Sequence, residues 1–368
     1  MEPKTPTREN ISKKELIHGI KKLPHEIKLY IIYLLIRGSS VNFLPYKSFS
    51  LSHTPFSLAF SPHGESFLTG YPTTGDLSLW NIKEEKIVKT LKGHTSWISS
   101  VTFSFDGKTI LSGSFDSTVR LWNSTTGEAI TILNEQTASI TAVAFSPKGE
   151  AILTGTFDGA VHVWDSKTGK LITTFTGHTF PISSVAFSPD GEMCLSSSWD
   201  ETACLWDPKT GELITTLEGH TDQINAVAFS PNGKRCLTGS SDRTACLWCS
   251  KTGQLLQTFK GHTQRISSVA FSPDGKAVLT GSYDKTACVW DPKTGKLLTT
   301  LKEHTRGITS VVVSPDGKTI LTGAHDRTIW VWKGVYDFSS LPEKNKKIVK
   351  QFLTLYFLFY HITDLAAN

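Results

Sequence analysis

Over most of this chain, apolar positions come in short alternating runs rather than at the three-to-four spacing of an amphipathic helix. ISSVAFS, CLTGS, TACLW and LLTTL are typical: brief, rich in β-branched or aromatic residues, and of the kind that forms half-buried strands. Turn-forming clusters such as SPDG and KTG separate them. The runs recur. Tryptophan stands at Trp80, Trp122, Trp164, Trp206, Trp248, Trp290 and Trp332, each 42 residues after the last. Upstream of each lies a His-Thr or its relic, from His53-Thr54 through Gln136-Thr137 to His304-Thr305. A fixed period of this length marks a structural repeat. Each unit reads as four short strands. One such sheet cannot bury both faces alone, whereas radial stacking buries them and leaves only short, protected edges.

The GHT, SPDG, SGSxD and WD elements of these units resemble the WD-repeat family over residues 43–333. The resemblance implies an all-β fold: a seven-bladed β-propeller of four-stranded antiparallel blades around a central channel. It also implies how the ring closes. In that family the outer strand of one blade comes from the start of the next repeat. The last unit, Gly307 to Trp332, lacks an outer strand, and Phe43 to Leu51 can supply it.

Residues 1–42 and 334–368 do not repeat and are expected to be helical flanks. Ser12 and Glu15 form a capping box, Pro24 opens a helix running to about Arg37, and Ser340 with Glu343 cap a C-terminal helix. The segment LPHEIKLYIIYLLI resembles the first helix of an F-box, through Leu23, Pro24, Glu26, Ile27, Ile31, Ile32 and Leu35. That resemblance implies the adaptor subunit of a cullin-type ubiquitin ligase as a partner. The motif's later helices are missing, because Phe43 already belongs to the repeats. The competing expectation is that the two terminal helices pack together, with Ile27, Ile31 and Leu35 against Phe352, Leu355 and Phe359.

Within the repeats, one constellation imitates catalytic machinery. His178, Ser196 and Asp200 have the residue types of a hydrolase triad. The set recurs, with Trp206, as His94/Ser112/Asp116/Trp122, His220/Thr238/Asp242/Trp248, His262/Thr280/Asp284/Trp290 and His304/Thr322/Asp326/Trp332. One protein has no use for five identical active sites. The WD-repeat resemblance implies a hydrogen-bonded tetrad inside each blade, in which indole, hydroxyl, imidazole and carboxylate satisfy one another. Two units depart from the pattern: the third has Gln136 in place of His, and the first has Thr74 in place of Asp. No other catalytic set appears, so the chain is expected to be a binding scaffold and not an enzyme.

Composition adds limits. Apolar residues make up 39% and charged residues 19%, a globular balance. The net charge of +5 mildly favours acidic partners and is too small to call for nucleic acid. Cys204, Cys246 and Cys288 repeat at the same place in successive units, which reads as buried small hydrophobes in a reducing compartment. Cys246-x-x-Cys249 has no second pair, so no metal and no cofactor is expected. The N-terminus lacks a secretory signature, and no apolar run reaches the ~18 residues of a membrane span. A cytoplasmic location is the resulting expectation.

The partner-binding surface is expected on the face where, in the family, loops precede the inner strand and link the second strand to the third. The residue before each turn aspartate points there: Phe115, Phe157, Trp199, Ser241, Tyr283 and His325. Trp97 and Phe180 lie in neighbouring loops. The residue after the aspartate is Arg243, Lys285 and Arg327 in the last three units, joined by Arg265 and Arg306. An aromatic half thus faces a cationic half, a pairing suited to acidic or phosphorylated segments of other proteins.

Overall fold

The computed structural model describes residues 43–133 and 138–334. Among these residues every regular element is a strand, and the strands form seven four-stranded antiparallel sheets. The first blade runs from its inner strand Ser57–Phe60 through Ser66–Gly70 and Leu77–Asn81 to its outer strand Lys86–Leu91. Five further blades repeat this order. The seventh is composite: Ile308–Val313, Thr319–Ala324 and Thr328–Gly334 come from the end of the repeats, and Phe43–Ser50 from the beginning lies against Thr328–Gly334 as the outer strand. The Leu51 amide continues the pairing to the Arg327 carbonyl at 2.8 Å. The expected closure is therefore present.

Each core is shared between neighbours. One cluster joins Leu153, Val163 and Phe175 of the third blade to Ile182, Val185 and Trp206 of the fourth. Another joins Phe49, Leu321, Ile329 and Val331 of the seventh blade to Leu58, Phe67 and Trp80 of the first. A row of side chains on the inner strands reinforces these joins. Ser99, Ser183, Asn225 and Ser267 each donate to the carbonyl of an isoleucine opening the next inner strand, at 2.5–2.8 Å. Thr309 donates to the Pro55 carbonyl and so seals the last blade to the first.

That last bond also reveals a register change. Pro55 stands where Ile98 and its counterparts stand, so the position four residues earlier, His94 in the second blade, is Leu51 in the first. His53, expected as the first blade's histidine, is two residues out of place, and its ring meets Tyr71 edge-on at 6.1 Å. The first blade is held instead by aromatic packing. Trp80 stacks on Phe67 with centroids 5.8 Å apart, and Phe49 tilts against both. The cause is one extra residue in the 71–76 loop, which places Trp80 opposite Phe67 while Trp122 lies opposite Ile110.

On the opposite face, the turns between inner and second strands interlock. Pro62 faces Gly107, Pro147 faces Gly191, Pro189 faces Gly233, Pro231 faces Gly275, Pro273 faces Gly317 and Pro315 faces Gly64, with 3.3–3.6 Å between proline Cδ and a Cβ built on the glycine. The series breaks once. Phe105 occupies the proline position of the second blade, Gly149 beyond it meets nothing within 4 Å, and Phe105 is 80% exposed.

The described fold falls mainly within one compact unit, Pro45–Gly334. The helices expected at 13–37 and 340–362, with the F-box-like residues Leu23, Pro24, Glu26, Ile27, Ile31 and Leu35, lie outside the described residues.

Two outcomes test this packing. Phe49→Ala should cost about 3–5 kcal/mol, as expected for a buried aromatic, and deleting residues 1–52 should abolish cooperative unfolding by leaving an open sheet edge. Deleting residues 1–37 should leave the unfolding transition intact; equal damage from both deletions would remove the closing strand from the explanation. Phe105→Pro should stabilise by about 0.4–1 kcal/mol, because the equivalent turns already accept proline. Calorimetry reads both.

Candidate functional site

Five blades carry the complete four-residue set. In the fourth, the Trp206 indole N–H donates to Ser196 Oγ at 2.8 Å, and that hydroxyl lies 2.8 Å from His178 Nε2. His178 Nδ1 lies 2.8 Å from Asp200 Oδ2. The other Asp200 oxygen accepts the Thr202 hydroxyl at 2.7 Å, and Oδ2 also accepts the Thr179 amide at 3.1 Å. With the ring proton on Nδ1, every donor in this chain has one acceptor. His94/Ser112/Asp116/Trp122, His220/Thr238/Asp242/Trp248, His262/Thr280/Asp284/Trp290 and His304/Thr322/Asp326/Trp332 repeat the arrangement. In four of the five sets a glycine precedes the histidine, and a Cβ on Gly177 would lie 3.0 Å from the Trp206 ring; Glu303 takes this place in the seventh blade.

These hydroxyls offer nothing to a substrate. Ser112, Ser196, Thr238, Thr280 and Thr322 are wholly buried, and each oxygen already takes an indole N–H. Burial opposes charge on the aspartates, but the threonine hydroxyls, histidine rings and backbone amides around them outweigh it. Asp116, Asp200, Asp242, Asp284 and Asp326 are all held below the usual carboxylate range. The two irregular blades keep fragments of the set. The Trp164 indole reaches Thr154 at 3.0 Å, while Gln136 lies outside the described residues. The Trp80 indole reaches Thr69 at 3.3 Å, and Thr74 accepts the Asp76 amide within its own loop.

The tetrads anchor one face of the ring, here called the top. Their aspartates sit in the turns between second and third strands and bond to the loops entering the inner strands. Four aromatic rings from those turns and loops form an unbroken row. Trp97 lies 5.8 Å from Phe115, Phe115 lies 6.4 Å from Phe157, and Phe157 lies 5.8 Å from Trp199. Trp97 is 54% and Trp199 38% exposed, and Phe180 stands exposed beside them. Tyr283 and His325 do not join this row. They meet each other, with Tyr283 OH 2.8 Å from His325 Nε2, and the Arg265 guanidinium lies 3.8 Å over the Tyr283 ring. Sequence order does not show this pairing; the signal available was Gly307, where a Cβ would lie 3.0 Å from Tyr283.

Arg243, Arg265, Lys285, Arg306 and Arg327 are exposed, and none takes part in an ion pair with a described residue. Arg243, Lys285 and Arg327 adopt φ of 72°, 75° and 62°, a region that L-residues other than glycine occupy at a cost. The third blade has Gly159 at the equivalent place. Among the described residues no group of histidine, cysteine and acidic side chains could hold a metal ion, and no helix is long and apolar enough to cross a membrane.

Six segments of the chain, 85–123, 127–165, 169–207, 211–249, 253–291 and 295–333, match the family described as WD domain, G-beta repeat. The departing first unit is not among them. The chain is also similar to Nuclear distribution protein PAC1-2 of Uncinocarpus reesii, with 36% identity over 75 residues, 18% of this chain and 16% of the relative. It is similar to the Periodic tryptophan protein 2 homolog of Schizosaccharomyces pombe, with 31% identity over 80 residues, 20% of this chain and 9% of the relative. Nuclear distribution protein PAC1 of Arthroderma otae matches at 35% over 78 residues, 18% of this chain and 16% of the relative. The similarity thus spans less than a fifth of the length of each relative.

The tetrad geometry ranks substitutions. Trp206→Ala should cost roughly 3–5 kcal/mol through the cavity it opens. Asp242→Asn should cost about 1–3 kcal/mol and Ser196→Ala about 1 kcal/mol. Because the aspartates titrate lower when folded, their contribution is present above the ordinary carboxylate pKa of about 3.9 and is lost as pH falls through the depressed folded value. Urea denaturation should therefore show a decline below about pH 4, shallower in Asp242→Asn.

Proposed function

The chain belongs to the WD-domain, G-beta repeat family, and from that premise we propose that it is a non-enzymatic scaffold whose top face receives an extended acidic or phosphorylated segment of a partner protein. The propeller of this family is typical of protein-interaction scaffolds. The observation that carries the finer reading is the division of the top face. The row Trp97–Phe115–Phe157–Trp199 offers rigid apolar area, and the cations of the fifth to seventh blades, which form no ion pair with a described residue, offer charge-assisted donors. An extended peptide crossing the channel mouth uses both.

A second reading adds to this surface rather than replacing it. The LPHEI segment, with Leu23, Pro24, Glu26, Ile27, Ile31 and Leu35, favours recruitment of a ubiquitin-ligase adaptor, which would make the scaffold a substrate receptor in the cytoplasm. Co-purification with a cullin adaptor, lost on Pro24→Ala/Ile31→Ala, tests it.

For the top face, affinity purification with mass spectrometry should recover partners from the native chain and lose them from the combined Trp199→Ala/Arg243→Glu/Arg327→Glu variant. With a recovered partner, Trp199→Ala should cost about 2 kcal/mol or more at any salt concentration. The two arginine reversals should weaken binding strongly at low salt and less at high salt, as exposed charges are screened. Arg243→Gly should weaken binding while raising thermal stability by about 1 kcal/mol, through relief of the positive φ. Partner recovery that survives the triple change places the binding surface elsewhere.

A further inference from the structure

The sixth and seventh blades meet at the top face in an arrangement no other pair of described blades repeats. Arg265, Tyr283 and His325 form a continuous stack across the join. The guanidinium covers the Tyr283 ring, the phenol oxygen meets His325 Nε2, and the two rings cross at 62° with centroids 5.2 Å apart. Their backbones are tied to the same loops: the Tyr283 amide donates to the Arg265 carbonyl and the His325 amide to the Gly307 carbonyl. Gly307 makes the stack possible. A Cβ there would lie 3.0 Å from the Cα, Cγ and Cδ1 of Tyr283, and the equivalent positions elsewhere carry Trp97, Ser139, Pro181, Gln223 and Arg265.

The stack leaves His325 Nδ1 without a protein partner among the described residues. Three charged side chains act on this imidazole. Burial opposes its protonation most, Arg265 and Arg306 add to that effect, and Asp326 favours protonation. The Asp326 carboxylate is already occupied by His304, Thr328 and the Thr305 amide. Arg265 and Arg306 are exposed, His325 is half-buried beside them, and no described carboxylate forms an ion pair with either guanidinium. A carboxylate brings one negative charge to this pair of guanidinium groups. A phosphate monoester has three terminal oxygens and nearly two charges at neutral pH.

We propose that this junction is a phosphate-monoester subsite of the top face, in which Arg265, Arg306 and His325 Nδ1 receive the phosphate of a phosphorylated serine or threonine. Tyr283 is the positioning residue that aims the ring. The proposal rests on the reading of the top face as the partner surface, and it adds a linkage. A bound dianion offsets the two cations that, together with burial, lower the His325 pKa, so binding favours proton uptake at His325 and strengthens as pH falls toward the histidine range.

Inorganic sulfate isolates this effect, because its charge does not change over the range about pH 5 to 8 where histidine titrates. Side-chain NMR of the full chain, at constant ionic strength, should show the His325 titration moving up by about one unit with sulfate relative to chloride. The buried tetrad histidines serve as internal references. Arg265→Ala and Arg306→Ala should each abolish the shift. Tyr283→Phe keeps the stack and should reduce the shift by releasing the ring. O-phosphoserine should bind about tenfold more tightly than glutamate. A His325 titration unmoved by sulfate, equal binding of phosphoserine and glutamate, or a shift indifferent to both arginines would overturn the subsite. Such a failure is distinguishable from failure of the scaffold reading, which is read from partner capture and its dependence on Trp199.

Discussion

Everything in this molecule depends on the burial of one blade face against the next. A single four-stranded sheet of these sequences would expose Ile140, Val143 or Trp164 on one side or the other. In the ring, each described core cluster draws on two adjacent blades, as when Leu121 and Leu133 of the second blade pack with Ile152 and Trp164 of the third. The interaction is cyclic, so the first and seventh blades complete their cores only where the last meets the first. That requirement accounts for the composite seventh blade and for the Thr309–Pro55 bond across the join. It also explains why the repeat in sequence and the blade in space are out of step. The matched segments begin at or just before an outer strand and end one residue past the tryptophan of the following blade, so each repeat links two blades covalently.

The tetrads extend this rigidity outward. Each runs from a buried indole, through a hydroxyl and an imidazole, to an aspartate that binds the backbone of the neighbouring loop. The core thereby fixes the loops that carry exposed side chains. A bulge at the start of the inner strand in blades two to seven lies beside the same loops and adds local twist there. Exposed residues on a frame of this kind lose little conformational freedom on binding, which is what a rigid contact surface requires.

Much of this was legible in the sequence because the period is strict. Seven tryptophans at one spacing set the number of blades, and the constant offsets from His94 to Ser112, Asp116 and Trp122 and their counterparts identify residues that meet in space. The missing outer strand of the last unit pointed to Phe43–Leu51. Legibility failed where the period slipped. His53 kept the spacing of a tetrad histidine, but the added residue in the 71–76 loop moved the true position to Leu51, and aromatic stacking of Phe49, Phe67 and Trp80 replaced the polar set. The Tyr283–His325 contact was hidden for a different reason. Both residues looked like further members of one ring of turn residues, and only the space left by Gly307 lets them join Arg265 instead.

The two halves of the top face also differ in how they are held. The aromatic half is self-supporting, since each ring rests on the next and burial favours the row with or without a partner. The cationic half has no such support. Like charges at Arg243, Arg265, Lys285, Arg306 and Arg327 repel, three of them sit at positive φ, and no described carboxylate pairs with any of them. The neighbouring turn acids, Asp242, Asp284 and Asp326, bond to the tetrad histidines. Folding therefore gains little from placing cations there. A bound anion supplies the missing compensation, because it satisfies the donors and cancels the repulsion together, and the strain of the free face becomes part of the affinity for what completes it.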